Sequence, residues 1–482
     1  MSTQPSIETV ITPLQNIMDL QRSAFVREGE VALETRIDRI NRCIAMLVDH
    51  QTEICDAINE DFGCRSRHVT LMTDIFTSVG SLKFVKKNLK KWMKPEKRKA
   101  PVPMNLFGAT ARIHYQPKGV VGIMTPWNVP VNMIFSPLAD AIGAGNRVML
   151  KPSEFTPKTA EVMQKLFREY FEDSEICIVT GGAEVGAAFS TLAFDHLIFT
   201  GATSIGKLVM KAAAENLTPV TLELGGKSPV IVSDSGNLEE YAEKIIAGKS
   251  MNSGQLCISP DYCFVPASRL EAFLTTCKST IKTLFPTIAD NADFVSVVNE
   301  RHFDRVKNYI DEAKESGARV IELNPANEDW SDRSRHKIPL HIIVEPSDEL
   351  KCMQDEVFGP VLNIKTYRTI DECLEFIAKR PRPLAMYYFG KDKIEREHVL
   401  ANSIAGGVTV NDIAMHVACD DMPFGGVGSS GIGNYRGFEG FRTFSHSKSV
   451  FTQGFVNLAK LAGTLPPYSD KIDKMMAQQI KK

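Results

Sequence analysis

The chain has 482 residues, of which 43% are hydrophobic, and carries 56 basic against 58 acidic side chains for a net charge of −2. That length and apolar content allow a large buried core in two domains plus a small assembly element. The near-neutral balance argues against a protein built mainly to hold nucleic acid or an anionic membrane surface.

Residues 1 to about 95 read as amphipathic helix, with Ile37, Ile40, Ile44 and Leu47 at helical spacing toward a core. The basic run Lys83–Lys94 puts Val85, Leu89 and Trp92 on one side and most of its lysines on another, the pattern of a solvated helix face. Ala100-Pro-Val-Pro103 breaks helix, and the alternating residues through Gln116 fit a protruding hairpin. From Gly119 to Val232, strands are expected at Val120–Met124, Arg147–Lys151, Ile176–Val179, His196–Thr200, Val220–Leu222 and Val230–Val232. Helical patterns at Pro157–Phe171 and Ser204–Ala214 separate them, and the alternation predicts an α/β fold with a parallel sheet flanked by helices.

Two residues carry candidate chemistry. Glu223 lies at the end of the apolar run Val220-Thr-Leu, before Gly225-Gly226, where a strand stops and ligands gather in open α/β sheets. Cys257 follows the turn-forming Asn252-Ser-Gly-Gln255, where exposed amides or a helix start would lower its thiol pKa. A thiolate attacks carbonyl carbon, and a carboxylate takes a proton from the thiol or from water, so Cys257 is the candidate nucleophile and Glu223 the candidate base. Each residue alone reads as an ordinary buried thiol or solvated acid.

Thr125-Pro-Trp-Asn-Val-Pro130, Leu150-Lys-Pro-Ser-Glu154, Phe199-Thr-Gly-Ala-Thr-Ser-Ile-Gly206, Glu356-Val-Phe-Gly-Pro360 and Pro423-Phe-Gly-Gly426 stand with the Glu223 and Cys257 segments in an order that resembles the NAD(P)-dependent aldehyde dehydrogenase superfamily. The resemblance implies that Cys257 forms a thiohemiacetal whose oxyanion is held by the Asn128 amide and the Cys257 N–H. A thioester follows, hydrolysed with Glu223 or Glu356 activating water. It also implies cofactor contacts from Pro126, Trp127, Lys151, Glu154, Gly201, Thr203, Gly206, Leu224, Glu356 and Phe358. Glu154 favours NAD by repelling a 2′-phosphate, while neighbouring Lys151 leaves NADP possible. Ala202 stands where the family typically has serine, removing one side-chain contact to phosphate.

By the same resemblance the fold is a Rossmann-like cofactor domain (1–99 and 118–226), an α/β catalytic domain (227–425), an oligomerisation hairpin and strand (100–117 and 440–455) and a tail (456–482). A homodimer or homotetramer is implied. Gly254-Gln-Leu-Cys-Ile-Ser-Pro-Asp-Tyr262, Asn411–His416 leading to Asp420–Gly426, and Phe444-Ser-His-Ser-Lys448 are similar to the class 3 branch and its bacterial coniferyl aldehyde dehydrogenase group. The implied substrate is an aromatic aldehyde such as coniferaldehyde, with medium-chain or fatty aldehydes as the alternative. A non-catalytic dinucleotide-binding protein and an acylating enzyme remain readings of other classes.

Gly426-Val-Gly-Ser-Ser-Gly431 matches a dinucleotide fingerprint literally, yet no clear strand precedes it and no good helix follows, so it carries little weight. Ten irregularly spaced cysteines, the absence of a secretory segment and the lack of any H-E-x-x-H cluster predict a reduced, cytoplasmic protein without a catalytic metal. Cys263 reads as a buried strand residue. The end Met475–Lys482 is too short and polar to span a bilayer.

Overall fold

A computed structural model describes residues 7–480. Residues 1–6 of the first expected segment, and Lys481 and Lys482 of the tail, lie outside the described residues.

Helices Leu33–Asp49 and Thr77–Trp92 bury one face each, Ile40 and Leu47 on the first and Leu82, Val85, Leu89 and Trp92 on the second. The lysines of the basic run are left on the solvent side, as the spacing predicts. Strands β1 (Glu96–Arg98) and β2 (Thr110–Pro117) then pair antiparallel. The next strands are mostly apolar and buried along nearly their whole length, a pattern that needs cover on both faces and so favours a parallel sheet. They are β3 (Val120–Met124), β4 (Arg147–Lys151), β5 (Ile176–Ile178), β6 (His196–Gly201) and β7 (Val220–Leu224). These five run parallel in the order β7-β6-β3-β4-β5.

The expected sixth strand is longer than predicted and lies elsewhere. As β8 (Ser228–Val232) it joins a second sheet with β9 (Pro260–Pro266), β10 (Arg319–Leu323), β11 (Leu340–Val344), β12 (Val361–Tyr367), β13 (Ala385–Phe389) and β14 (Gly407–Val410). The order is β10-β11-β12-β9-β8-β13-β14, parallel except at the β10 edge. Gly225-Gly226 is therefore the crossing from one sheet to the other, information that an apolar run does not contain. The literal glycine fingerprint leads into β15 (Gly431–Ile432), a two-residue strand that caps the first sheet beside β7, and the next helix, Gly437–Thr443, starts only after an intervening loop. Finally β16 (Ser445–Thr452) pairs along the whole of β2, completing a separate three-stranded sheet. Cys263 is buried in β9.

One buried ion pair fixes the chain that leaves β3. Residues Leu71–Phe76 form a wider π-helical turn between helical segments, the irregular geometry often found near functional sites. It aims Asp74 at the start of helix Pro130–Gly143, where Asp74 Oδ1 accepts from the N–H groups of Val131 at 3.0 Å and Asn132 at 3.3 Å. Those are orphan helix-end donors, so the carboxylate caps the helix from a distant segment. Asp74 Oδ2 accepts from Arg65 Nη2 at 2.6 Å, and Arg65 Nη1 donates to the Asn128 carbonyl at 2.6 Å. Both side chains of the pair are fully buried. Asp74→Ala would strand the Arg65 charge, and we expect it to lower the unfolding free energy in denaturant titration by about 3–5 kcal/mol.

Candidate active site

The carboxyl ends of β3, β4, β6 and β7 meet on one side of the first sheet, and the residues singled out in the sequence cluster there. After β3 the chain turns through Thr125, Pro126, Trp127 and Asn128, with Thr125 N–H donating to Lys151 O at 3.1 Å. Asn128 is buried, and its carbonyl is held by both Arg65 and Asn252 Nδ2, the latter at 3.0 Å. Among the described residues nothing hydrogen-bonds its side-chain amide, which leaves that N–H free for a ligand.

The segment before Cys257 is bent by three consecutive left-handed residues, Asn252 (φ 50°), Ser253 (φ 51°) and Gly254 (φ 71°). Two of them are not glycine, a conformation that persists only where surrounding bonds impose it. Ser253 Oγ donates to Val295 O, Gln255 Nε2 donates to Ser296 O at 3.0 Å, and Gln255 Oε1 accepts from Val298 N–H at 3.0 Å. Asn252 thus ties the nucleophile's loop to the Asn128 loop.

The sequence expectation of a lowered thiol pKa is corrected here. No helix begins at Cys257: Met251–Gly254 is a single 3-10 turn and β9 starts at Pro260, so no helix dipole reaches the sulfur. The residue retains some surface, but protein encloses its thiol, and burial pushes it up to about 12. The carboxylates of Glu356 and then Glu223 add to the rise.

Glu223 lies one residue before the end of β7, which runs on to Leu224. Both its oxygens are buried without a hydrogen-bond partner, and desolvation raises its pKa well above the ordinary carboxylate value. Arg436 opposes that rise. Glu356 sits against the inter-sheet crossing: a Cβ on Gly225 would collide with its Oε2, and the Gly226 N–H supports its carboxylate. Burial first, then Asp261, raises it to about 8. Two carboxyl groups and a thiol are thus gathered in one dry place, where burial holds each toward its neutral form.

Beside this centre the chain forms a cradle. Lys151, buried at the end of β4, pairs with partly exposed Glu154 at 3.3 Å. Gly201 ends β6, and helix Thr203–Ala214 starts immediately after Ala202 with no side chain capping it, leaving its first amides for an anion. Gly206 packs so closely on β7 that a Cβ there would lie 2.6 Å from Leu224 Cδ2. Trp127 meets Phe358 edge to face at 5.3 Å, and Phe358 is itself held at φ 42° with its carbonyl bonded by Arg305 Nη2 at 3.0 Å.

Residues 14–450 match the aldehyde dehydrogenase family. The chain belongs to that family. It is 51% identical to a probable coniferyl aldehyde dehydrogenase of Caulobacter vibrioides, over 97% of each chain. It is 46% identical to a coniferyl aldehyde dehydrogenase of a Pseudomonas species, over 96% of this chain and 95% of the relative. A substrate-bound Staphylococcus aureus AldH structure superposes with a TM-score of 0.90 at 33% identity, covering 97% of this chain and 99% of that one.

As an aldehyde dehydrogenase the protein is an NAD(P)-dependent oxidoreductase, and its cradle fits such a cofactor. The uncapped helix start offers donors to a pyrophosphate, the Lys151–Glu154 pair offers groups to a ribose, and the Gly201 and Gly206 positions allow close approach. Arg65, Asp74, Asn252, Arg305 and Arg436 escaped the sequence reading because their contacts come from distant segments. Only the polar run Asn252–Gln255 carried a local signal.

With the thiol near 12, its ionised fraction rises with pH across the whole accessible range. Iodoacetamide alkylation of Cys257 in the cofactor-free enzyme should therefore be slow at pH 7 and keep accelerating as pH rises to about 10. Glu223→Gln replaces a carboxyl held neutral near pH 7, so it should leave alkylation there unchanged and speed it only at the higher pH where Glu223 ionises, as peptide mass spectrometry of the labelled protein would show.

Proposed function

We propose that the enzyme oxidises aromatic aldehydes, coniferaldehyde among them, to carboxylic acids through covalent adducts on Cys257. The observation that carries the chemistry is the Glu223 carboxylate, buried with both oxygens unpartnered beside a buried thiol. A group held at that cost needs a partner supplied by substrate or water. The substrate class is supported by the two relatives named for coniferyl aldehyde.

The Cys257 thiol gives its proton to a neighbouring carboxylate as sulfur adds to the carbonyl carbon. The Asn128 amide and the Cys257 N–H donate to the oxygen as its charge develops, and such a donor is worth about 3–4 kcal/mol in comparable sites. A bound NAD(P) supplies the hydride acceptor. Trp127 and Phe358 would bound its ring, Glu356 and the Lys151–Glu154 pair would hold its riboses, and Pro126, Thr203 and Leu224 would line the remaining wall. The thioester left on sulfur is cleaved by water whose proton Glu223 accepts. Its elevated pKa makes it a stronger base than an ordinary carboxylate.

NAD is the preferred cofactor in this reading, because the Glu154 carboxylate disfavours a 2′-phosphate, while Lys151 offsets only part of that charge. The β1–β2–β16 sheet is the element that joins subunits. No helix of the described residues is long and apolar enough to cross a membrane.

Reduced-cofactor formation should be fastest with coniferaldehyde in a panel with benzaldehyde and octanal, and should vanish in Cys257→Ala. Octanal preference would move the substrate class to aliphatic aldehydes, and failure with every aldehyde and both cofactors would sink the catalytic reading. Glu223→Gln should still give a burst of about one reduced cofactor per site, followed by a steady rate lower by about a hundredfold or more.

A further inference from the structure

Lys249 has no role in the chemistry above, yet its setting is costly. It lies in the last turn of helix Leu238–Ser250 and is 1% exposed. Among the described residues it has neither a hydrogen bond nor a carboxylate within ion-pair distance. A buried, unpaired ammonium is among the least favourable groups a fold can hold.

Its place is specific. The end of Lys249 reaches Gly254, where a Cβ would lie 3.1 Å from Lys249 Cε and would collide with the Gly359 carbonyl. Gly254 leads to Cys257, and Gly359 belongs to the loop that carries Glu356. The ammonium therefore lies under the contact between the nucleophile's loop and the second carboxylate's loop.

The charged groups facing it are Asp261, Lys227 and Glu356. Asp261 is already engaged, with Lys227 on one oxygen and the Val357 N–H on the other at 2.8 Å. Lys227 is further bonded to the carbonyls of Cys352 at 2.6 Å and Asp355 at 2.8 Å. Glu356 makes no ion pair among the described residues, with Lys227 and then Arg305 acting on it from farther away. A cation and a carboxylate, each without a direct ion pair among the described residues, thus flank the same loop contact.

We propose that Lys249 is a positioning residue that supplies the fixed positive charge against which one proton moves between Cys257 and Glu356. This deepens the aldehyde-oxidation reading and rests on it. When the S–H bond breaks and an O–H bond forms on Glu356, the single negative charge passes from carboxylate to sulfur. The ammonium neutralises it in either place, so the transfer creates no net charge in a dry site.

Because burial lowers Lys249 from 10.5 to about 8, its charge costs stability in full below pH 8. That cost fades as pH climbs from about 8 to 10.5, where the unfolded chain also loses the proton. Replacing Lys249 should therefore stabilise the fold at neutral pH while damaging the chemistry.

The test compares Lys249→Met and Lys249→Arg with wild type in three measurements: thermal melting, Cys257 alkylation against pH without cofactor, and steady-state coniferaldehyde oxidation. Lys249→Met should melt higher than wild type at pH 7, with the gain gone near pH 10.5. Its alkylation at pH 8 should slow by roughly tenfold, and kcat should fall by roughly ten- to a hundredfold with aldehyde KM within about twofold. Lys249→Arg, which keeps the charge, should recover much of the alkylation rate. If Lys249→Met melts lower, Lys249→Gln replaces it for the alkylation comparison. Alkylation and kcat at wild-type levels in a folded neutral variant would overturn the proposal, whichever way the melting point moves. A wild-type enzyme that oxidises no aldehyde would defeat the catalytic reading instead, and the alkylation profiles would still decide whether Lys249 charges the thiol.

Discussion

Removing a thiol and two carboxylates from water together is the constraint on which the rest of the structure depends. Burial favours the neutral form of each group, and each negative charge disfavours ionisation of the others. Cys257, Glu223 and Glu356 are all shifted upward for these reasons. The site consequently gives up its protons less readily than the same groups would in water. A resting thiol in this state resists alkylation and oxidation, and it becomes nucleophilic only as a neighbour accepts its proton.

Such a centre needs rigid walls, because moving a buried charge by a small distance changes its energy steeply. The walls come from unrelated parts of the chain. Arg65 and Asp74, from the helical N-terminal region, clamp the Asn128 loop and the start of helix Pro130–Gly143. Asn252 bridges from that loop to the turn before Cys257. Gly225-Gly226 crosses between sheets and lets Glu356 approach the backbone where any side chain would block it. The destabilising features, left-handed Asn252 and Ser253, orphaned Glu223 and unpaired Lys249, all lie around the nucleophile. Strain and unpaired groups held at that place give up stability for function.

Much of this was legible in the sequence. The apolar runs and glycine punctuation located β3 to β7 to within a residue or two, and the spaced motifs named Cys257, Glu223, Asn128 and the cradle. The apolar run Val230–Val232 does not itself say which sheet it joins, since a buried parallel strand looks the same in any sheet, and only the domain boundary implied by the resemblance sets it apart. The direction of the Cys257 shift was not legible either. The local run Asn252–Gln255 reads as a turn rich in donors, whereas the deciding facts are burial and a carboxylate about a hundred residues away, Glu356, brought near by β12 lying beside β9. Nothing in the sequence around Lys249 or Arg65 marks either cation as buried, and only tertiary packing shows it.

The central claim is that Glu223 is held protonated in the resting enzyme by burial without a partner. Infrared difference spectroscopy of the cofactor-free protein at pH 7, wild type against Glu223→Gln, reads that state directly. The account predicts a protonated-carboxyl band in wild type that is missing from the variant. A wild-type spectrum showing Glu223 as an ionised carboxylate at pH 7 would contradict it.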